Sequence, residues 1–174
     1  METMRPALFL DRDGIVNTRI VDGYVRTPAE LIPLFDLVPL LQEAQRRNWP
    51  LVIISNQQGV GKGLMTNKDL DLVNETLCAA FETKGIRFDR IECCTDLATE
   101  FSRRRKPQPG MLLDAAAALT ICLPSSWFIG DSLSDAQAGR AAGCRTVLVG
   151  EFEAIHADVV VPNLGCIPTS ILDE

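Results

Sequence analysis

Ala7-Leu8-Phe9-Leu10-Asp11-Arg12-Asp13-Gly14 is the stretch that decides how this chain reads. Four apolar residues stop abruptly at two acids, a cation and a glycine. A short apolar run without alternation is what a strand buried on both faces requires. The same pattern recurs. Leu51–Ile54 runs into Ser55-Asn56-Gln57, Phe128–Ile129 into Gly130-Asp131, and Thr146–Val149 forms a fourth run. Arg87–Cys93 and Asp158–Val161 are weaker strand candidates. Between the strands the apolar spacing changes to that of helices. Leu37, Leu40, Leu41 and Ala44 fall at i, i+3, i+4 and i+7, and Leu70, Val73, Leu77, Ala80 and Phe81 at i, i+3, i+7, i+10 and i+11. Thr66 caps the second of these helices and Gly85 stops it. Pro109 opens a third, through Ala115–Leu119. Ser134 caps a fourth, which Gly143 ends. Strands alternating with helices predict an α/β chain with a mostly parallel sheet. There is no internal repeat or linker, so residues 1–174 read as one domain.

In such sheets the ligand lies beyond the carboxyl ends of the strands, so the residues just after each apolar run are the candidates for chemistry. Asp11 and Asp13, at i and i+2, project to one side of an extended segment. Asp131 ends a neighbouring strand at the same rim. Close carboxylates repel unless a cation sits between them, and an all-oxygen set with few carboxylates suits Mg²⁺. One Asp at a strand end is ordinarily a cap or turn residue; three at one rim, with Ser55 and Lys106, are not. A donor and a fixed positive charge are what a phosphoryl group in transfer needs. Gly59-Val60-Gly61-Lys62-Gly63 falls short of a P-loop, which demands Gly at 56 and Ser or Thr at 63; Asn56 and Gly63 stand there. It reads as a flexible loop. His156 is the lone histidine, placed in a late polar segment, and reads as a surface residue rather than part of a triad.

Composition narrows the partners. The chain is 47% hydrophobic and 23% charged, with a formal charge of −6. That excludes whole-chain disorder and argues against nucleic acid or anionic membrane as a general partner. No apolar run approaches the roughly 20 residues that span a bilayer. Met1–Pro6 is polar and leads straight into the first strand, unlike a signal peptide, so a cytoplasmic protein is expected. The six cysteines then read as free thiols, most of them small core residues. Arg103, Arg104, Arg105 and Lys106 are four of the 17 cations, leaving 13 against 23 acids elsewhere. Such a knot can receive a small anion, or it can be a solvated loop.

Taken in order, Phe9–Gly14, Ser55-Asn56-Gln57, Arg105-Lys106-Pro107 and Gly130-Asp131-Ser132-Leu133-Ser134-Asp135 resemble the four motifs of the haloacid dehalogenase-like phosphatases. The resemblance extends from Phe9 to about Val161. Asn17, Gly23-Tyr24-Val25 and Lys106-Pro107-Gln108-Pro109-Gly110-Met111 are similar to the capless subgroup that acts on heptose bisphosphate and histidinol phosphate. The resemblance implies a three-layer Rossmann-like fold, helices on both faces and no large cap domain. It implies Asp11 as nucleophile and Asp13 as acid and then base. Mg²⁺ would be held by Asp11, the Asp13 carbonyl and Asp131. Ser55, Lys106 and the Asn56 amide would hold the phosphate, Asp135 would orient the metal site or Lys106, and Arg105 would meet the substrate's remote anionic end. The implied substrate is a small phosphorylated metabolite, foremost a sugar bisphosphate such as heptose 1,7-bisphosphate. Histidinol phosphate, a nucleic-acid 3′-phosphate and a non-catalytic phosphosugar sensor are the alternatives. A monomer is expected.

Three positions depart from the family pattern. Ile15 replaces the usual Thr, Ser132 replaces the subgroup's Lys, and the subgroup's zinc loop is stripped. Its Cys-x-His and Cys-x-Cys pairs are Cys94-Thr95-Asp96 and Ser102-Arg103-Arg104 here, so only Cys94 remains. No structural zinc is expected. Residues 95–104 are expected to form a short mobile loop, with Arg103, Arg104 and Arg105 facing the substrate entrance and substrate discrimination correspondingly loose.

Overall fold

The computed structural model describes residues 4–173. The first three residues of the polar leader, and Glu174 at the other end of the expected domain, lie outside the described residues. Six strands form one sheet: β1 (Leu8–Leu10), β2 (Leu51–Asn56), β3 (Arg90–Cys94), β4 (Trp127–Gly130), β5 (Arg145–Val149) and β6 (Val159–Val161). Their spatial order is β3-β2-β1-β4-β5-β6, and every pairing is parallel. β1 is central, with Leu10 opposite Ile53 of β2 on one side and Ile129 of β4 on the other. The chain winds outward from β1 in both directions, so a crevice opens between β1 and β4 at their carboxyl ends.

Alternation along the strands divides the core. Leu8, Leu10, Leu51, Ile53 and Ile129 face one layer, where they pack with α1 (Val38–Arg46) and α3 (Asn67–Glu82) through Leu40, Leu41, Leu77 and Phe81. Phe9, Val52, Ile54 and Phe128 face the other, against Met111, Leu112 and Ala115 of α4 (Gly110–Leu119) and Ala138 of α5 (Leu133–Ala142). Helices therefore cover both faces, as a parallel sheet requires. Phe81 is fully buried and meets Phe35 and Phe88 edge-on, with centroids 5.2 and 5.1 Å apart. Among the described residues no helix is long and apolar enough to cross a membrane. All six cysteines are free thiols; Cys144 is buried, and burial pushes its thiol up to about 12.

The predicted elements are present, with three corrections at their edges. Ser132, not Ser134, caps α5: its side chain and that of Asp135 form a reciprocal capping box, and Gly143 closes the helix in the left-handed region. Leu37 stands just before α1 as its cap rather than within it. Residues 59–63, expected to be a loop, begin inside a single helical turn, α2 (Gln58–Gly61), where Gly59 is buried beneath the ring of Tyr24. His156 is half-buried in a short 3₁₀ turn.

Candidate active site

β1 delivers Asp11 one residue past its last apolar position. The backbone N–H of Asp11 still donates to the carbonyl of Ile129 at 2.9 Å, which pins the residue between the two central strands. Its Oδ1 accepts from Lys106 Nζ at 2.7 Å and from the backbone N–H of Arg12 at 2.8 Å. Lys106 arrives from a loop far along the chain. Asn56, at the end of β2, clasps it reciprocally: Asn56 Nδ2 donates to the Lys106 carbonyl at 3.1 Å, and the Lys106 N–H donates to Asn56 Oδ1 at 3.0 Å. Lys106 Nζ also reaches the Ile54 carbonyl (3.1 Å) and Asp135 Oδ1 (2.7 Å), and lies 5.6 Å from the centre of the Phe128 ring. Asp135 sits beneath it at the start of α5, its other oxygen taking the Ser132 N–H and hydroxyl.

Two glycines create the space for this arrangement. A Cβ on Gly130 would stand 2.2 Å from Cβ of Asp135. Gly14 has φ of +98°, a conformation that favours glycine, and a Cβ there would fall 2.0 Å from Asp131 Oδ2.

The electrostatics are lopsided. Burial, then the nearby Asp135, push Asp11 up to about 8, although Lys106 pulls the other way. Burial and Asp135 also raise Asp131 above the ordinary carboxylate range. Burial works against the charge on Lys106, yet Asp11 and Asp135 outweigh it and leave the ammonium above its usual value. Oxygens of Asp11, Asp131 and Asp135 lie within 4.8 Å of one another. Three acids thus share one lysine, and this hard, all-oxygen set fits a divalent cation such as Mg²⁺. Asp135 is already engaged by Lys106 and Ser132, which leaves Asp11 and Asp131 as the open donors. The ion pair of Arg19 with Asp131, at 3.4 Å, shows the same excess of negative charge.

Asp13 lies in the turn after β1 and faces the same cleft, of about 560 Å³. Its oxygens accept from Asn17 Nδ2 (2.9 Å), Gln57 Nε2 (2.7 Å) and the Arg12 guanidinium (3.2 Å). Ser55 is buried behind this group and accepts from the same Gln57 amide at 2.8 Å; it is not among the residues that line the cleft. Asn56 lines the cleft, and its side chain holds the Lys106 backbone. Arg105 lines the cleft and donates to the Asp96 carbonyl at 3.2 Å.

The loop of residues 95–104 differs from the expectation. Arg103 and Arg104 do not face the entrance. Both pair with Asp114 on α4, and Arg104 also pairs with the buried Glu92 at 2.6 Å. Cys94 Sγ lies 3.4 Å from Asp96 Oδ2 and 3.6 Å from Ser102 Oγ. Hydrogen bonds from Ser102 and then Cys94 hold Asp96 below the usual carboxylate range. Ion pairs and hydrogen bonds therefore tie a segment expected to be loose, and Arg105 alone of the three arginines reaches the cleft. Ile15 is fully buried among the core residues of the α1 and α3 layer. Sequence reasoning gave no role to Arg12, Asn17 and Gln57 around Asp13, or to Arg19, Tyr24 and Lys62 at the mouth. Lys62 donates to the Tyr24 hydroxyl at 3.1 Å. The signal for Arg12 and Gln57 was their position beside strand ends; the other four lie in segments without apolar periodicity.

Residues 103–164 match the HAD-hydrolase-like family model. A D-glycero-beta-D-manno-heptose-1,7-bisphosphate 7-phosphatase of Rhodopseudomonas palustris is 34% identical over 167 residues, covering 92% of this chain and 90% of that one. The protein of the same name from Mesorhizobium japonicum is 34% identical over 145 residues; the match covers 79% of this chain and 66% of its relative. Among solved structures, the D,D-heptose 1,7-bisphosphate phosphatase of B. bronchiseptica, complexed with magnesium and phosphate, superposes with a TM-score of 0.82. It is 29% identical and covers 92% of this chain and 94% of that one.

Proposed function

This chain belongs to the haloacid dehalogenase-like phosphatases, and on that premise we propose that it removes a phosphate from a small sugar bisphosphate, foremost heptose 1,7-bisphosphate. The observation that carries the reading is the buried Asp11–Lys106–Asp135 cluster, with Asp131 and Asp13 open to the same cleft. The relatives named above supply the substrate class.

Asp11 is the nucleophile. Its carboxylate oxygen attacks phosphorus, the bond to the sugar oxygen breaks, and Asp13 gives that oxygen its proton. Water then attacks the aspartyl-phosphate, Asp13 takes the water's proton, and inorganic phosphate leaves with Asp11 restored. Splitting the hydrolysis into two displacements is what makes each step accessible. Lys106 faces the phosphoryl oxygens and Asn56 keeps it there. Asp11 and Asp131, with the Asp13 carbonyl, would hold Mg²⁺, which when bound supplies positive charge to the transferring oxygens and lowers the proton affinity of Asp11.

The mouth of the cleft favours a second anion. Arg19, Lys62 and Arg105 line it, with Asp22 the acid among them away from the metal-facing group. Such a rim suits a remote phosphate better than the cationic amine and imidazole of histidinol phosphate. An acidic surface of net −6 also disfavours a nucleic-acid substrate. All these groups come from one chain. Phosphate release should be measured on both anomers of heptose 1,7-bisphosphate, on histidinol phosphate and on 3′-phosphorylated DNA. A kcat/KM highest on the sugar bisphosphate is expected. Preference for either of the other two overturns the substrate assignment, and no release from any phosphomonoester overturns the enzyme reading.

A further inference from the structure

We propose that Arg12 is a positioning residue that fixes the Asp13 carboxylate for proton transfer, a role that rests on the reading of Asp13 as acid and base. Arg12 is the bulkiest of the fully buried side chains. A guanidinium taken out of water must find partners, and a packing requirement alone would be met by an apolar chain without that cost. Its partners show what it is for. Nη1 donates to Asn74 Oδ1 on α3 at 3.0 Å, while Nη2 stands 3.2 Å from both oxygens of Asp13. The guanidinium thus spans from the helix to the carboxylate, and its Nε finds no hydrogen-bond partner among the described residues.

The backbone of the same residue serves the same end. Its N–H donates to Asp11 Oδ1, and its carbonyl accepts from the N–H groups of Val16 (2.9 Å) and Asn17 (3.1 Å). Asn17 is the residue whose side-chain amide donates to Asp13 Oδ1. Arg12 therefore touches one catalytic carboxylate through its backbone and the other through its side chain, and it orders a second donor to the latter. Asp13 needs this support because it lies in a turn beyond the strand, with its side chain a quarter exposed. An acid must sit within roughly 2.6–3.2 Å of the oxygen it protonates. Gripped on three sides, Asp13 has one way to face the cleft. Asn74 in turn donates to Cys93 Sγ on β3 at 3.7 Å, so the far end of the fork is itself anchored between α3 and the sheet.

The distinguishing consequence concerns the leaving group. A nitrophenolate departs without a proton, whereas a sugar alkoxide does not. Loss of Asp13 alignment must therefore lower kcat/KM, which reports aspartyl-phosphate formation and not the later hydrolysis that Asp13 also assists, far more for alkyl phosphates than for p-nitrophenyl phosphate. Arg12→Lys, Arg12→Met, Asn74→Ala and, as the reference, Asp13→Asn should be measured across phosphate esters of rising leaving-group basicity. General acid–base help is worth typically ~10²–10⁴-fold. Against that ceiling, Arg12→Met should lose about 100-fold on alkyl phosphates and at most about threefold on p-nitrophenyl phosphate. Arg12→Lys, which keeps the charge but not the fork, should recover part of the loss, and Asn74→Ala should lose about tenfold with the same selectivity. If Arg12→Met does not fold, the lysine and Asn74 variants carry the test. Losses of equal size on every ester, in variants other than Asp13→Asn, overturn the positioning role and leave Arg12 as structure. Equal losses in Asp13→Asn itself overturn the acid–base reading instead, so the two failures are distinct.

Discussion

On the floor of the cleft Asp11, Lys106 and Asp135 lie in mutual contact, 8%, 5% and 1% exposed. At its rim the Arg19 side chain is 59% exposed, and Lys62 also stands in solvent. The floor places each charge against another in a medium that screens poorly, so small displacements there have large energies. The rim holds charges that water screens well, where an ion pair is worth typically ~0.2–1 kcal/mol. The difference teaches a division of labour. Chemistry sits where groups cannot move, and recognition of the rest of the substrate sits where they can.

Breaking the floor at its nucleophile should have the largest effect. Asp11→Asn keeps the shape and removes the attacking charge, so turnover should fall by more than ~10⁴-fold. The same change should stabilise the metal-free fold. Asp11 has a folded-state value of about 8 against 3.8 ordinarily, so the folded protein holds a proton that the unfolded chain releases. Stability of the metal-free wild type should therefore fall as pH rises from about 4 to 8 and level off above that. Thermal unfolding in EDTA across that range should show the slope in wild type and a shallower one in Asp11→Asn, where the raised Asp131 remains. A flat wild-type profile would remove the electrostatic basis of the floor.

Removing the metal should come next. Chelation should take activity to background and Mg²⁺ should restore it, while Ca²⁺, with its longer bonds and larger shell, should restore little. Full turnover after exhaustive chelation would sink the role given to Asp131. Gly130→Ala presses a methyl into Asp135 and should destabilise the protein by ~1–3 kcal/mol, a figure denaturant unfolding can check.

Changes at the rim should be smaller and selective. Lys62→Ala should raise KM for a sugar bisphosphate about fivefold, the upper end of what a screened ion pair is worth, and leave kcat and the KM for p-nitrophenyl phosphate within about twofold. An equal rise for both substrates would show that Lys62 belongs to the floor. Arg19→Gln should be the mildest. Arg19 competes for Asp131, so its loss should tighten Mg²⁺ binding by about two- to fivefold in calorimetry.

The floor was largely legible in the sequence, because its residues follow apolar runs that can only be buried parallel strands. Asp11 and Asp131 end adjacent strands, and a parallel sheet brings such ends to one rim. Lys106 and Asp135 were located by motif order rather than by periodicity. Ser55 and Asn56 were legible as neighbours of the site. Their contacts were not, since a side chain's choice between substrate and the Lys106 backbone depends on a loop 50 residues away. The rim was hardly legible. Arg103, Arg104 and Arg105 look alike in a row, yet Glu92 and Asp114 hold the first two, and only tertiary packing brings those acids near. Tyr24 and Lys62 meet because one helical turn replaced an expected loop.

Gly14 combines two demands that ordinary mutagenesis cannot separate: a backbone at φ +98° and a carboxylate oxygen 2.0 Å from where a Cβ would project. Chirality can separate them. A D-alanine, introduced by chemical ligation, is at ease at positive φ and carries its methyl on the side opposite to that of an L-residue. It would stiffen the turn that follows Asp13 and point its methyl away from the side on which Asp131 lies. L-alanine at the same place would both strain the turn and intrude on Asp131. The pair of mirror-image residues would divide the worth of this glycine into its handedness and its emptiness.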